Sequence, residues 1–299
     1  MRNSKKGTGK STRPRPAPLE ARAAHEIKKG NPDSRLLTGP VSNGVKCPRA
    51  VIFDLDNTLT ESFQPPTPDV ANRLYKLLEL IPVAVMSGAS FDRMEQYLLP
   101  SFGEHVDKTR LYLFTDTASQ CFTWKDGAWQ NLYKFSFKKE EYGTIIRAIK
   151  EGLEQTGITK GDVIYGNQFL ARDTQITLAA IGIDAPIEMK EAWDPDGAKR
   201  KKMKKFLDAK LPGFNVLLGG RTAIDITRTG IDKAHGVLWF AQHLKTTPGK
   251  LIFVGDAFYP GGNDAIVIPT GIETIPVAGH REVAKVIDKI LTACNPKSK

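Results

Sequence analysis

Four short runs in this chain are apolar at almost every position and stop at polar residues. They are AVIF (Ala50–Phe53) before Asp54, IPVAVM (Ile81–Met86) before Ser87, LYLF (Leu111–Phe114), and LIFVG (Leu251–Gly255) before Asp256. A strand with one wet face alternates apolar and polar side chains, whereas a parallel strand covered on both faces does not. Between the first two runs, TPDVANRLYKLLEL reads as a helix, with Thr67 as N-cap, Pro68 in the first turn, and Leu74, Leu77 and Leu78 on one side. A second helix starts at Ser90 and must stop near Pro100. Strand and helix alternate, which predicts an α/β fold with a doubly wound parallel sheet.

The middle of the chain follows another rule. A helix over about 138–156, ending at Gly157, is followed by two strand-like runs, DVIYGNQFLAR and TQITLAAIG. A helix over about 197–210 is again followed by two, FNVLLGG and TAIDITR. Helix, strand, strand, repeated, predicts a small antiparallel sheet with helices on one face and a core of its own. The first pattern then resumes with a helix near Lys233, LIFVG, the shorter strands AIVIP and TIPVA, and a closing helix from about Arg281. The expected division is a basic tail at 1–47, a core split between 48–132 and 223–299, and an inserted domain at 133–222.

The net charge of +10 suggests nucleic acid until it is located. Residues 1–49 hold 12 Lys or Arg against three acids, so the remaining 250 carry about +1. The basic charge belongs to a tail expected to be too poor in apolar residues to fold, which leaves the rest of the chain without the charge excess that nucleic-acid binding would need. Within it, GTGKST (Gly7–Thr12) imitates a phosphate-binding loop but has Ser4 where glycine is needed and no strand before it. KRKKMKK (Lys199–Lys205) reads as the wet face of a helix whose other side carries Met203 and Phe206. No apolar run approaches the roughly 18–20 residues of a membrane span. Cys47, Cys121 and Cys294 are odd in number and scattered, fitting neither a disulfide framework nor a zinc site, so a reducing cytoplasm is expected.

In open parallel sheets ligands sit beyond the carboxyl ends of the strands. Asp54 with Asp56, Ser87, Lys233 and GDAFYPGGND (Gly255–Asp264) all fall at that edge. Two carboxylates two residues apart on an extended chain point the same way and repel. A metal ion or a phosphoryl group would give such a pair a purpose.

DLDNTLT, VMSGAS, the lysine of GIDKAHG, and VGDAFYPGGND occur in that order, each at the end of a suitable element. Together they resemble the four motifs of the haloacid dehalogenase-like phosphatase superfamily. The resemblance implies that Asp54 is a nucleophile forming an aspartyl-phosphate and Asp56 the general acid and base. It implies Mg2+ held by the side chains of Asp54 and Asp256 and the backbone carbonyl of Asp56, with Asn263 or Asp264 orienting its water. Ser87 and Lys233 would hold the phosphoryl oxygens. Thr58 lies in the same loop, where it can support the turn.

The insertion occupies the place of the family's type-2 cap, in its larger variety. Within that branch GDxxxPGGND, and Gly219, Gly220 and Asp225 before the lysine, are similar to eukaryotic-type phosphomannomutases. A mutase needs a second phosphate pocket built from arginines. One of these maps onto Arg172 and another basic position onto Lys190, but two more fall at Ile183 and Phe63, and a serine-like position falls at Ala223. Arg172, Lys190, Arg221 and Asp225 are therefore the expected cap-side contacts, and a phosphatase acting on a small phosphate ester such as a sugar phosphate is favoured over a mutase. A catalytically idle binding module is the remaining alternative. By analogy with other caps of the branch, a homodimer is expected.

Overall fold

The computed structural model describes residues 46–295. The tail expected at 1–47 lies outside the described residues apart from its last two. In chain order the elements are β1 (Ala50–Phe53), α1 (Pro68–Leu80), β2 (Val83–Met86), α2 (Phe91–Tyr97), β3 (Leu111–Thr115), β4 (Gln120–Lys125), β5 (Ala128–Lys134) and α3 (Lys139–Thr156). Then come β6 (Phe169–Ala171), β7 (Ile176–Ala179), α4 (Ile187–Trp193), α5 (Ala198–Lys210), β8 (Phe214–Gly219), β9 (Ala223–Arg228), α6 (Lys233–His243), β10 (Leu251–Gly255), β11 (Glu273–Pro276) and α7 (His280–Cys294).

Seven strands form the first sheet, in the order β11-β10-β1-β2-β3-β4-β5. The five from β11 to β3 are parallel, and β4 and β5 extend them as an antiparallel hairpin. All four residues of β1 and of β2 are buried, as their unbroken apolar runs require. One face is covered by α1 and α7, through Leu74, Leu77, Val283 and Ile287; the other is covered by α6, through Val237 and Phe240. Each of these fully buried side chains contributes roughly 1.5–3 kcal/mol. Thr67 caps α1 by accepting from the Val70 N–H at 3.3 Å, and Ser90 caps α2 by accepting from Arg93 N–H at the same distance.

The second sheet, β6-β7-β9-β8, is antiparallel throughout. Its inner side packs Ile176, Leu178, Ile224 and Ile226 against Ile145, Ile149, Met203 and Leu207 of α3 and α5. Alternation along β9 sends Asp225 to the opposite face, toward the first domain.

Several details differ from expectation. TAIDITR joins the second sheet as expected, pairing with both β7 and β8, so the boundary drawn at 222 falls six residues short of the strand's end at Arg228. AIVIP is part of a 3-10 helix at Ala265–Thr270, its five apolar residues being too few to separate strand from helix by pattern. The cysteine reading is also corrected, since Cys47 and Cys294 form a disulfide and leave Cys121 free and buried. The pairing follows from α7 ending beside the segment that enters β1, a neighbourhood that residue spacing does not show. It also removes the cysteine argument for a reducing compartment. Reduction, or the Cys47→Ser variant, is expected to cost about 2–4 kcal/mol of stability, visible as a lower melting temperature; an unchanged melt would show the link to be silent. No helix among the described residues is long and apolar enough to cross a membrane.

Candidate active site

Asp54 leaves β1 at the carboxyl edge of the sheet, and its N–H donates to Val254 O at 2.9 Å, so the nucleophile candidate is anchored to β10. Lys233, the first residue of α6, is 1% exposed, and its Nζ donates to Asp54 Oδ1 and Asp264 Oδ1, both at 2.6 Å. The other oxygen of Asp264 accepts from the Ala257 N–H at 3.0 Å. Gly255 and Gly262 permit this loop. A side chain on Gly255 would come within 2.4 Å of Asp264 Oδ2, and one on Gly262 within 2.1 Å of the Ala257 carbonyl.

Asp256 follows β10 and completes a trio with Asp54 and Asp264, whose oxygens lie within 4.8 Å of one another. One lysine cannot neutralise three such carboxylates. Burial, and then the charge of Asp264, push the Asp256 carboxyl up to about 6. Burial likewise pushes Asp54 well above the usual range, against the pull of Lys233. Burial would lower the Lys233 ammonium, but Asp264 and Asp54 hold it above its ordinary value. A surplus of buried negative charge among oxygen ligands fits a hard divalent cation. Thr58 is fully buried and reaches Asp256 Oδ1 at 3.4 Å, so it touches the acidic group as well as shaping its turn.

The remaining expected residues are spread around this centre. Asp56 faces Arg93 of α2, whose two terminal nitrogens donate to both its oxygens. The Ser87 hydroxyl accepts from the Ala89 N–H at 3.1 Å, tightening the turn after β2. Asn263 stays half-buried in the loop beside Asp264. From the cap, Arg172 reaches into the core, where its Nε lies 2.7 Å from Asp116 Oδ1 and a terminal nitrogen donates to Gly88 O at 3.1 Å. Asp225 accepts from Thr177 at 2.6 Å and Gln175 at 3.0 Å, and burial raises its carboxyl above the usual range. Lys190 donates to Ile183 O at 2.7 Å and lies 5.6 Å from the Phe63 ring centre. Arg221 does not join these groups. It is half-exposed and pairs with Glu191 on the cap at 2.6 Å.

Sequence reasoning missed Arg93, Asp116, Thr117 and Gln175. Asp116, Thr117 and Ala118 follow β3 with φ of 52°, 56° and 61°, three left-handed residues in succession. That backbone costs on the order of 1–2 kcal/mol per residue. It turns Asp116 toward Thr174 at 2.6 Å and Thr117 toward Gln175 at 2.7 Å, so the core holds the cap through buried polar bonds. The signal was present, because Asp116 stands beyond the carboxyl end of a parallel strand, as Asp54 and Ser87 do. Arg93 carries no such mark and reads as any helix arginine.

A family model described as haloacid dehalogenase-like hydrolase matches residues 51–264, most of the chain. This chain belongs to the haloacid dehalogenase-like hydrolases. Among curated proteins it is 27% identical over 244 residues to a probable phosphomannomutase of Caenorhabditis elegans, covering 76% of this chain and 87% of the relative. It is 25% identical over 222 residues to the phosphomannomutase of Spinacia oleracea, covering 71% and 83%. Among solved structures, IMP-bound, N-terminally truncated IMP-nucleotidase of Plasmodium falciparum superposes with a TM-score of 0.61 at 18% identity. The match covers 83% of this chain and 68% of that one. A haloacid dehalogenase-like hydrolase from Bacteroides thetaiotaomicron gives 0.52 at 15% identity, covering 81% and 99%. At these identities the structural likeness concerns the fold. The family and its phosphomannomutase relatives support a phosphoryl-transfer enzyme.

Proposed function

We propose that this protein is a Mg2+-dependent phosphatase of a small phosphate ester, most naturally a sugar phosphate. The observation that carries this reading is the buried cluster in which Lys233 holds Asp54 and Asp264 at 2.6 Å each beside Asp256. Lys233 occupies Asp54 Oδ1, which leaves Oδ2 to attack phosphorus. A bond forms from that oxygen to phosphorus as the bond to the ester oxygen breaks, and Asp56 gives the departing oxygen its proton. Water then attacks the aspartyl-phosphate, Asp56 takes its proton, and phosphate leaves with Asp54 restored. Lys233 and the Ser87 hydroxyl face the growing negative charge. Asp54, Asp256 and the Asp56 carbonyl would hold Mg2+, with Asn263 or Asp264 placing its water; the ion supplies charge neutralisation for the transferring phosphoryl group. Arg172, Lys190 and Asp225 would recognise the rest of the substrate, and Arg221 would contribute only from the rim.

A Mg2+-dependent assay against a panel of phosphosugars tests this, following free phosphate and exchange between 1- and 6-phosphates with and without a hexose 1,6-bisphosphate, using Asp54→Asn as blank. Phosphate release without exchange supports the phosphatase. Exchange that needs the bisphosphate supports a phosphohexomutase, the second reading. That reading gains from both sides of the domain boundary, because Arg93 of the core and Lys190 of the cap bring cations to Phe63 and Ile183, where the sequence lacks them. No signal above the blank supports an idle binding module. The cytoplasmic location and the homodimer belong to the same proposal and are tested by fractionation and by mass in solution.

Mg2+ must compete with a proton at Asp256, whose carboxyl titrates at about 6. Protonation dominates below that value, so Mg2+ affinity is expected to fall about tenfold per pH unit under pH 6. Calorimetric titration at pH 7.5 and pH 5 checks it; equal affinities would remove Asp256 from the metal site.

A further inference from the structure

The turn that carries Ser87 is held by its carbonyls. Ser87 O accepts from the Thr117 N–H and Ala89 O from the Asp116 N–H, both at 2.9 Å. Between them, Gly88 O accepts from a terminal nitrogen of Arg172 at 3.1 Å and from Gln175 Nε2 at 3.3 Å. The core therefore holds the two outer carbonyls and the cap holds the middle one. Arg172 and Gln175 close the hairpin between β6 and β7, where the Arg172 N–H donates to Gln175 O at 2.9 Å. The same hairpin sends the Thr174 hydroxyl to Asp116, while the Thr117 hydroxyl donates to Gln175 Oε1 at 2.7 Å. Gln175 Nε2 also lies 3.0 Å from Asp225 Oδ1. Asp116 and Thr117 thus give their backbone N–H groups to the Ser87 turn and their side chains to the cap. Asp116, Thr117 and Gln175 are all buried, where a polar group that loses its partner finds no water to replace it. The turn, the left-handed segment and the hairpin form one polar unit, and displacing any part of it unpairs the others.

We infer that Gln175 and Asp116 are positioning residues through which the cap hairpin fixes the turn that presents the Ser87 hydroxyl to the transferring phosphoryl group. The inference rests on the phosphatase reading only for what Ser87 does. Neither residue needs to touch the reacting atoms. Gln175 holds the turn directly at Gly88 O, and Asp116 holds it through its own N–H while its carboxylate binds Thr174 and lies 2.7 Å from Arg172 Nε. The cap then contributes to the rate as well as to recognition, because a hydroxyl displaced by about 1 Å loses much of its hold on the developing charge.

Two measurements test this with the full chain. Gln175→Met keeps the length of the side chain and removes its donors and acceptor. On an ester the wild-type protein hydrolyses, it is expected to lower kcat by about 10- to 100-fold. In a Ser87→Ala background the same substitution should lower kcat by less than about threefold, since the hydroxyl it positions is gone. A residue that only supports the fold would cost the same factor in both backgrounds, and that result overturns the inference. Hydrogen exchange is the second measurement. In Gln175→Met the Asp116 and Thr117 amides should exchange at least about tenfold faster, while the Asp54 amide, bonded to Val254 O, keeps its protection. Unchanged exchange at Asp116 and Thr117, or equal acceleration at all three, also overturns it. Asp116→Asn, which tolerates the left-handed backbone, should show the same pattern in both measurements and decides the matter if Gln175→Met does not fold. If the wild-type protein releases phosphate from no ester with Mg2+, the phosphatase reading fails, while exchange still decides whether the hairpin holds the turn.

Discussion

Asp54→Asn is expected to remove turnover by at least about 10³-fold on every ester the wild-type protein hydrolyses. Asparagine keeps the shape of the side chain and can still accept from Lys233, so the loss would report chemistry and not collapse of the loop. The fold should stand, because burial already disfavours the charged carboxylate at this position and its removal leaves Lys233 paired with Asp264 at 2.6 Å. Turnover and thermal melting measured on the same preparation separate the two effects. Activity within tenfold of wild type would mean that phosphorus is attacked by something other than Asp54.

Lys233→Met should have the largest effect on stability. Lys233 is almost wholly buried and serves two carboxylates at once, with a third in the same cluster. Removing one partner of a buried ion pair strands the others in a medium that solvates them poorly, a loss of about 3–5 kcal/mol. Mg2+ would offset part of the stranded charge, so denaturant midpoints should fall steeply in a chelator and less in millimolar Mg2+. A midpoint that moves equally in both conditions would separate the lysine from the cation site. One that does not move would mean that the carboxylates are neutral whether or not the lysine is present.

Which parts of this molecule could be read in advance follows from the range of the forces involved. β1, β2 and β10 are buried on both faces, so their apolar runs are continuous and their polar successors mark the edge where Asp54, Ser87 and Asp256 lie. Helix caps such as Thr67 and Ser90 are local and equally legible. The hairpin of β4 and β5 was also legible, through Asp126–Gly127 at its turn, with φ of 53° and 76°, yet the expected core stops at 132 and does not draw on it. Arg93 and the Cys47–Cys294 pair belong to another category. Each is defined by a neighbour 37 or more residues away, and nothing in its local pattern differs from an ordinary surface arginine or a lone cysteine.

The split of the first sheet has a consequence for how the chain is made. β1 lies between β2 and β10, and in sequence its residues precede their β10 partners by 201 positions. The whole cap is translated in that interval. At roughly 5–20 residues per second, β1 waits about 10–40 s on the ribosome with one edge unpaired. During that time Asp54 has no Lys233, and two of the three acidic groups do not yet exist. The cap, with its own core and nearer pairings, can form first. Contact order therefore ranks the domains, and the part of the molecule that does the chemistry is the last to become whole.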